Sequence, residues 1–342
     1  MKVLFVGLGG VGQRHLRNIH VLCPEAQFEA FRIKGRTFEI GNDLKPDYSV
    51  DIIKKYGVTV FSSMNSALSF RPDVAIIANP TSLHVETTIS IIKSGIPVFL
   101  EKPISDNRDG LEELLREVRS KKASVMVGYM LRFHPCTRKV KELIDQSRIG
   151  RIYSVMATIN SYMPEWHRYE EYNSFYAGRR DLGGGVILTE IHEIDILCWL
   201  FGRPSRLWCL GGTYSSLPLD VEDSISVMME QQAQGYSFPV QLTISFVQRY
   251  PLRKMTILGE SGVIEWDMLK SEVTLDDRAN GAIEVFRKPD YDRNHLFLLE
   301  MKHFLECAET GKESDTTLEK VIDGHYTALL MKENLNKDII IS

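Results

Sequence analysis

The chain has 342 residues, is 44% hydrophobic and 25% charged, and carries a formal net charge of -4. That length suits two domains with sizeable cores, and the mild negative charge gives no reason to expect nucleic acid or an anionic membrane as partner. Five scattered cysteines without a C-x-x-C pair argue against a disulfide framework and against a zinc site. With no signal-peptide pattern after Met1 and no apolar run approaching the ~18 residues of a membrane span, a cytoplasmic protein is expected.

Residues 1–127 alternate apolar, partly β-branched runs with stretches of helical period. The runs are Val3–Val6, Phe28–Phe31, Val58–Val60, Val74–Ile77, Pro97–Leu100 and Ser124–Val127; the helical stretches are 11–22, 50–56, 82–94 and 108–121. Strands apolar on both faces and separated by crossover helices predict a Rossmann-type, doubly wound parallel sheet. From residue 128 to 342 the texture changes. Alternating segments at 151–163, 205–214, 223–230, 238–248 and 252–258 predict an open, largely antiparallel sheet in an α+β domain. A helix over 184–200 and two more over 293–309 and 316–333 accompany it.

Gly7-Leu-Gly9-Gly10-Val11-Gly12 follows the first strand directly and opens an amphipathic segment, the context of a dinucleotide turn. Gly7 permits the tight turn, Gly9 the approach of a pyrophosphate and Gly12 close helix packing, with the phosphates at the helix N-terminus. Where NAD-binding folds place an acid after the second strand, this chain reads Phe31-Arg32-Ile33-Lys34-Gly35-Arg36. Cations there suit a 2′-phosphate, so NADP is favoured and NAD is the alternative; a solvated basic loop is the structural reading.

Asn79-Pro80-Thr81 lies where the fourth strand ends, at the carboxyl edge where doubly wound sheets bind ligands. His84 follows, and a packing role within its helix is preferred over catalysis. Glu101-Lys102-Pro103 sits past the fifth strand at the same edge, which makes Lys102 a candidate for a hydrogen bond to a substrate hydroxyl. His192 lies on the 184–200 helix, with Thr189 and Asp195 within about 60° of it on the helix surface. Asp195 is positioned to orient the imidazole or to hold substrate. The irregular stretch 164–182 carries Trp166, His167 and Tyr172 among many aromatic and charged residues. Such a loop either covers a substrate crevice or forms a subunit interface. Arg132 adds a cation after the last parallel strand.

These motifs, with Gly-x-Gly-x-x-Gly-x-x-His15, Asn79-Pro-Thr-Ser-x-His84, Glu101-Lys102-Pro103, Gly128-Tyr-Met-Leu-Arg132-Phe and the Gly183–Gly185 triplet leading to His192-x-x-Asp195, closely resemble the glucose-fructose oxidoreductase/inositol dehydrogenase/rhizopine-catabolism (Gfo/Idh/MocA) family over nearly the whole chain. A fainter likeness is to members from bacterial surface-sugar clusters. The resemblance implies Lys102 and His192 as the catalytic pair. Many members have an aspartate three or four residues before this histidine, where this chain has Thr189 and Leu188.

The reading is therefore an NAD(P)-dependent oxidoreductase acting on a secondary hydroxyl of a sugar or sugar derivative, with a nucleotide sugar or surface-polysaccharide precursor among the candidates, and assembling as a homodimer or homotetramer. The expected substrate contacts are Asp195, Arg132, Trp166, His167, Tyr172 and Thr189. The expected cofactor contacts are Gly7, Gly9, Gly10, Val11, Gly12, Arg32, Lys34, Arg36, Asn79, Pro80, Thr81, His84, Glu101 and Lys102. No metal is expected. Two alternatives stand beside it: a redox-neutral NAD-dependent glycosidase of the same family, and a non-catalytic regulator that binds cofactor and sugar.

Overall fold

Apolar runs of three to five residues, each fully buried or nearly so, form four of the six strands of the first sheet. The structure is a computed structural model describing residues 1–33, 35–166, 169–233, 235–277, 281–289 and 292–340. In chain order the first region contains β1 (Lys2–Val6), α1 (Gly10–Leu22), β2 (Gln27–Phe31), β3 (Phe38–Ile40), β4 (Pro46–Asp51), α2 (Ile52–Lys55), β5 (Thr59–Phe61), α3 (Met64–Ser69), β6 (Val74–Ile77), α4 (His84–Ile92), β7 (Val98–Leu100), α5 (Leu111–Lys121) and β8 (Val125–Val127). Six strands pair in parallel in the order β5-β2-β1-β6-β7-β8. Strand order reverses beside β1, so the ligand crevice opens at the carboxyl ends of β1 and β6.

The helix expected over 50–56 is reduced to the single turn α2. Residues 38–51 before it fold instead into the β3–β4 hairpin. Asp51 caps the turn by accepting from the Ile53 and Lys54 amides, a local signal that a longer helical period had concealed.

The second region comprises α6 (Pro135–Asp145), β9 (Ile152–Tyr162), α7 (Val186–Thr189), α8 (His192–Phe201), β10 (Arg206–Gly212), β11 (Ser224–Ala233), β12 (Tyr236–Ser245), β13 (Val247–Gly259), β14 (Val263–Asp267), β15 (Glu272–Asp277), β16 (Ala282–Arg287), α9 (Arg293–Thr310), α10 (Leu318–Glu333) and β17 (Asp338–Ile340). Nine strands run in the order β16-β15-β14-β13-β9-β12-β11-β10-β17. Every pairing is antiparallel except β9 with β12, because the chain leaves β9 through α7 and α8 and re-enters the sheet from the far side.

One face of this sheet packs under the helices. The other leaves Tyr153, Met156, Trp208, Leu210, Met228 and Leu258 exposed. The last two helices return to the first region: α9 packs on α1, and the Val127 amide donates to the Thr316 carbonyl just before α10.

The helix expected over 184–200 is broken. α7 ends at Thr189 and α8 begins at His192. A terminating helix leaves its last carbonyls without intrahelical partners, and that break creates the central contact of the site.

Candidate active site

Gly7 leaves β1 with φ +94°, and a Cβ there would lie 2.6 Å from the Ala78 carbonyl oxygen; one on Gly12 would lie 2.5 Å from the oxygen of Gly7. Both positions exclude a side chain, and together they press α1 against the turn. Gly9 caps α1 with no side-chain bond, no acid lies in the first turn, and open space surrounds the Gly9 Cα. The amides at this helix end and the clearance over Gly9 fit a dinucleotide pyrophosphate. Val11 turns its side chain into the core.

At the carboxyl end of β6, Asn79 donates to the Thr87 hydroxyl at 3.0 Å, and Pro80 leads into a turn at buried Thr81. His84 is buried with its ring nitrogens 2.7 Å from the Pro103 carbonyl and 3.0 Å from the Asn79 carbonyl, so it ties two loops together rather than facing cofactor. Burial holds its pKa below the usual histidine value. Glu101, also expected at the cofactor, instead lies 2.6 Å from Nε2 of buried His15, an internal pairing between β7 and α1.

Lys102 is joined to Pro103 by a cis peptide bond. Its Nζ donates to the Thr189 carbonyl at 2.6 Å. A cation at the carbonyl end of a helix turn is electrostatically favoured, so the α7–α8 break holds the ammonium at the start of α8, where His192 sits. His192 is 5% exposed, its Nδ1 has no partner among the described residues, and its ring meets Tyr129 edge-on at 5.9 Å. Burial first, then the charges of Lys102, Arg253 and Arg293, pushes its pKa well below the usual value. The imidazole is therefore neutral near pH 7 and able to accept a proton. The Thr189 Oγ1 and the Tyr129 hydroxyl are likewise buried without partners, so unsatisfied polar atoms gather around the imidazole.

Several expected substrate contacts are engaged elsewhere. Asp195 does not orient His192: it forms a buried bidentate pair with Arg132, at 2.8 Å to Nε and 2.7 Å to Nη2. Arg132 also stacks over Trp199 at 5.4 Å. Trp166 packs edge-on against Phe246 at 5.0 Å and donates its indole N–H to Ser161, and Tyr172 is half-buried against the core. His167 and Lys34 lie outside the described residues.

The loop after β9 does reach the cofactor side. The Tyr169 hydroxyl stands over the dinucleotide turn, 2.8 Å from where a Gly10 Cβ would be. Glu170 accepts from both terminal nitrogens of Arg36 at 3.2 Å, and Arg32 donates to the Arg36 carbonyl. Arg36 is thus shared with an acid from the second region.

Three residues of the site were missed in the sequence. Arg253 carried no signal, because an arginine within an alternating strand reads as ordinary, and Tyr129 stood inside the Gly128–Phe133 motif with no role assigned to it. Arg293 did carry one: it opens α9, where the helix dipole disfavours a cation.

Comparison with known proteins agrees with this geometry. The family model described as "Oxidoreductase family, NAD-binding Rossmann fold" matches residues 1–129, and the one described as "GFO/IDH/MocA C-terminal domain" matches 137–265. The chain belongs to the Gfo/Idh/MocA oxidoreductase family. It is 23% identical over 324 residues to scyllo-inositol 2-dehydrogenase (NAD(+)) of Bacillus subtilis, covering 91% of this chain and 87% of that protein. It is 25% identical over 291 residues to 2,7-anhydro-N-acetylneuraminate hydratase of Mediterraneibacter gnavus, covering 82% and 75%. The crystal structure of scyllo-inositol dehydrogenase from Lactobacillus casei with NAD(H) and scyllo-inositol superposes with a TM-score of 0.77 at 21% identity, covering 99% and 98%. This chain is accordingly a nicotinamide-dependent oxidoreductase.

The buried pair generates a prediction. Arg132→Ala strands the Asp195 carboxylate in the interior and should lower unfolding stability by about 3–5 kcal/mol in denaturant titrations. A loss below about 1 kcal/mol, in the range of an exposed pair, accompanied by a raised KM would return the pair to the substrate site.

Proposed function

We propose that this protein oxidises a secondary hydroxyl of a sugar derivative, reversibly, with Lys102 and His192 as its catalytic pair. The observation that carries the reading is the Lys102 ammonium held on the Thr189 carbonyl at 2.6 Å beside a buried imidazole. Neutral His192 takes the hydroxyl proton as general base. Lys102 donates a hydrogen bond to the same oxygen and stabilises the negative charge that develops there. Thr189 Oγ1 and the Tyr129 hydroxyl are partners for neighbouring substrate hydroxyls. A nicotinamide dinucleotide would supply the hydride acceptor when bound; the Gly7–Gly12 turn would hold its pyrophosphate, and Asn79-Pro80-Thr81 would line the crevice beside it. Trp166 and Phe175 pack the loop after β9 onto the core.

Two relatives name the range of substrates, an inositol and an anhydro-sialic acid. The second is a hydratase, which keeps a redox-neutral variant of the same chemistry in view. Steady change in nicotinamide absorbance with substrate present supports net oxidation; product formed with no net change supports the redox-neutral reaction. The exposed apolar face of the second sheet supports a homodimer or homotetramer, and the five free thiols support a reducing, cytoplasmic compartment.

For the cofactor, Arg32 and Arg36 after β2 support a preference for NADP(H), and Glu170 limits it by occupying Arg36. Direct titration of both cofactors should show Arg32→Ala losing roughly 1.5–3 kcal/mol of NADP(H) affinity, while Glu170→Gln widens the preference. Tighter binding of NAD(H) by the unmodified protein contradicts this assignment.

Lys102→Ala and His192→Ala should each reduce kcat by about 10²–10⁴-fold with melting temperature and cofactor affinity nearly unchanged. Because the His192 pKa is depressed, the acid limb of kcat/KM for oxidation should fall below the ordinary histidine value of 6.5. An acid limb centred at or above that value, still present in His192→Gln, removes His192 from the role of base.

The outer sheet face predicts assembly. Met228→Glu combined with Leu210→Glu should shift the mass measured by light scattering toward the monomer. An unchanged mass places the subunit contact elsewhere.

A further inference from the structure

The glycine triplet before His192 has three different neighbours. A Cβ on Gly183 would lie 2.7 Å from the Asp106 Cβ and 2.8 Å from the Thr81 Cβ, both carried by loops of the parallel sheet. One on Gly184 would run into the carbonyl oxygens of Tyr176, Ala177 and Arg179 in the loop after β9. One on Gly185, whose φ is +108°, would overlap the Glu222 carboxylate. The first two positions wedge the chain between loops. The third opens the start of α7 to an acid from a remote segment.

Gly185 is the N-cap of α7 and has no side chain with which to cap it. A helix start leaves its first amides without intrahelical partners, and a polar side chain at the cap normally accepts from the second or third of them. Here Glu222, between β10 and β11, takes that place. Its backbone carbonyl accepts from the Val186 amide at 3.0 Å, and its Oε1 accepts from the Ile187 amide at 3.3 Å. The residues on either side of it are anchored. The Val221 carbonyl accepts from the Thr213 hydroxyl at 2.6 Å, and buried Asp223 accepts from the Tyr214 and Ser215 amides at 3.1 and 2.9 Å. α7 itself is only four residues long, and a single turn is unfavourable without outside support. Burial of Val186, Ile187 and Leu188 fixes where the turn lies. Apolar contact is non-directional, so the aim of its carbonyls is left to the hydrogen bonds at its ends. One end is the Glu222 cap. The other is the Thr189 carbonyl, which holds Lys102 Nζ at 2.6 Å.

We propose that Glu222 is a positioning residue: by capping α7 across Gly185 it aims the Thr189 carbonyl and so seats the Lys102 ammonium beside His192. A glycine precedes the turn because any side chain there displaces the carboxylate. The effect on turnover rests on the assignment of Lys102 to the reacting hydroxyl; the seating of the ammonium does not.

The test uses the full chain and two readouts. The first needs no turnover: the rate at which acetic anhydride acetylates Lys102, measured by peptide mass spectrometry against exposed lysines such as Lys121. Glu222→Gln keeps an acceptor at the same reach and should match the unmodified protein. Glu222→Asp keeps the charge but withdraws the acceptor by one methylene, and Glu222→Ala removes it; both should raise Lys102 labelling severalfold. The second readout is kcat. The Asp and Ala variants should lose about 10–10²-fold with cofactor affinity unchanged, and the Gln variant little. In a Lys102→Ala background the same substitutions should cost nothing further, because Glu222 acts through that lysine. Lys102 labelling unchanged by Asp and Ala overturns the proposal, as does a kcat loss repeated in full without Lys102. A Gln variant no better than Ala, with activity tracking the folded fraction, reduces Glu222 to a structural role and overturns it too. Raised labelling together with a Lys102→Ala variant that keeps its kcat leaves the seating in place and counts against the catalytic assignment of Lys102 alone.

Discussion

An ammonium and an imidazole borne by different sheets have to meet where little water reaches, and one hydrogen bond accomplishes this. Lys102 is delivered by the parallel sheet, Thr189 by the helical crossover of the second region, and the Nζ–carbonyl contact joins them across 87 residues of sequence. It exists because the helix breaks between Thr189 and His192. Had the helix continued, its carbonyl would be directed to an amide one turn on, and the lysine would have no fixed seat.

That contact needs a rigid frame. Arg132 and Asp195 clamp the segment after β8 to α8 through two short bonds in the interior. His84 joins the loops after β6 and β7, and His15 with Glu101 joins α1 to the residue preceding Lys102. Among the described residues, the buried polar atoms without partners include His192 Nδ1, Thr189 Oγ1, the Tyr129 hydroxyl and Arg253 Nη2.

The loop after β9 couples the two halves of the site. Its Trp166 is anchored in the core, while Tyr169 and Glu170 reach the dinucleotide turn and the cations after β2. One segment of the second region therefore reaches both the dinucleotide turn and a cation after β2 from outside the parallel sheet.

Much of this architecture was legible locally. The parallel sheet, the glycine turn, the placement of Lys102 at a carboxyl edge and of His192 on a helix all follow from strand and helix periods and from turn chemistry, which act over a few residues. The roles of Asp195, Arg132, Trp166 and Glu101 did not follow, because proximity on one helix face or one sheet edge does not reveal a competing partner. Asp195 finds Arg132 at a separation of 63 residues, and Arg14 finds Asn294 at 280. The parallel insertion of β9 beside β12, the loop over Gly10 and the pairing of Arg253 with Glu193 are of the same kind. The sequence by itself determined which chemical groups were present and which local elements carried them. Only the tertiary structure decided which buried charges neutralise one another and which are left for a ligand, because desolvation makes every long-range pairing a choice among competitors that local pattern cannot rank.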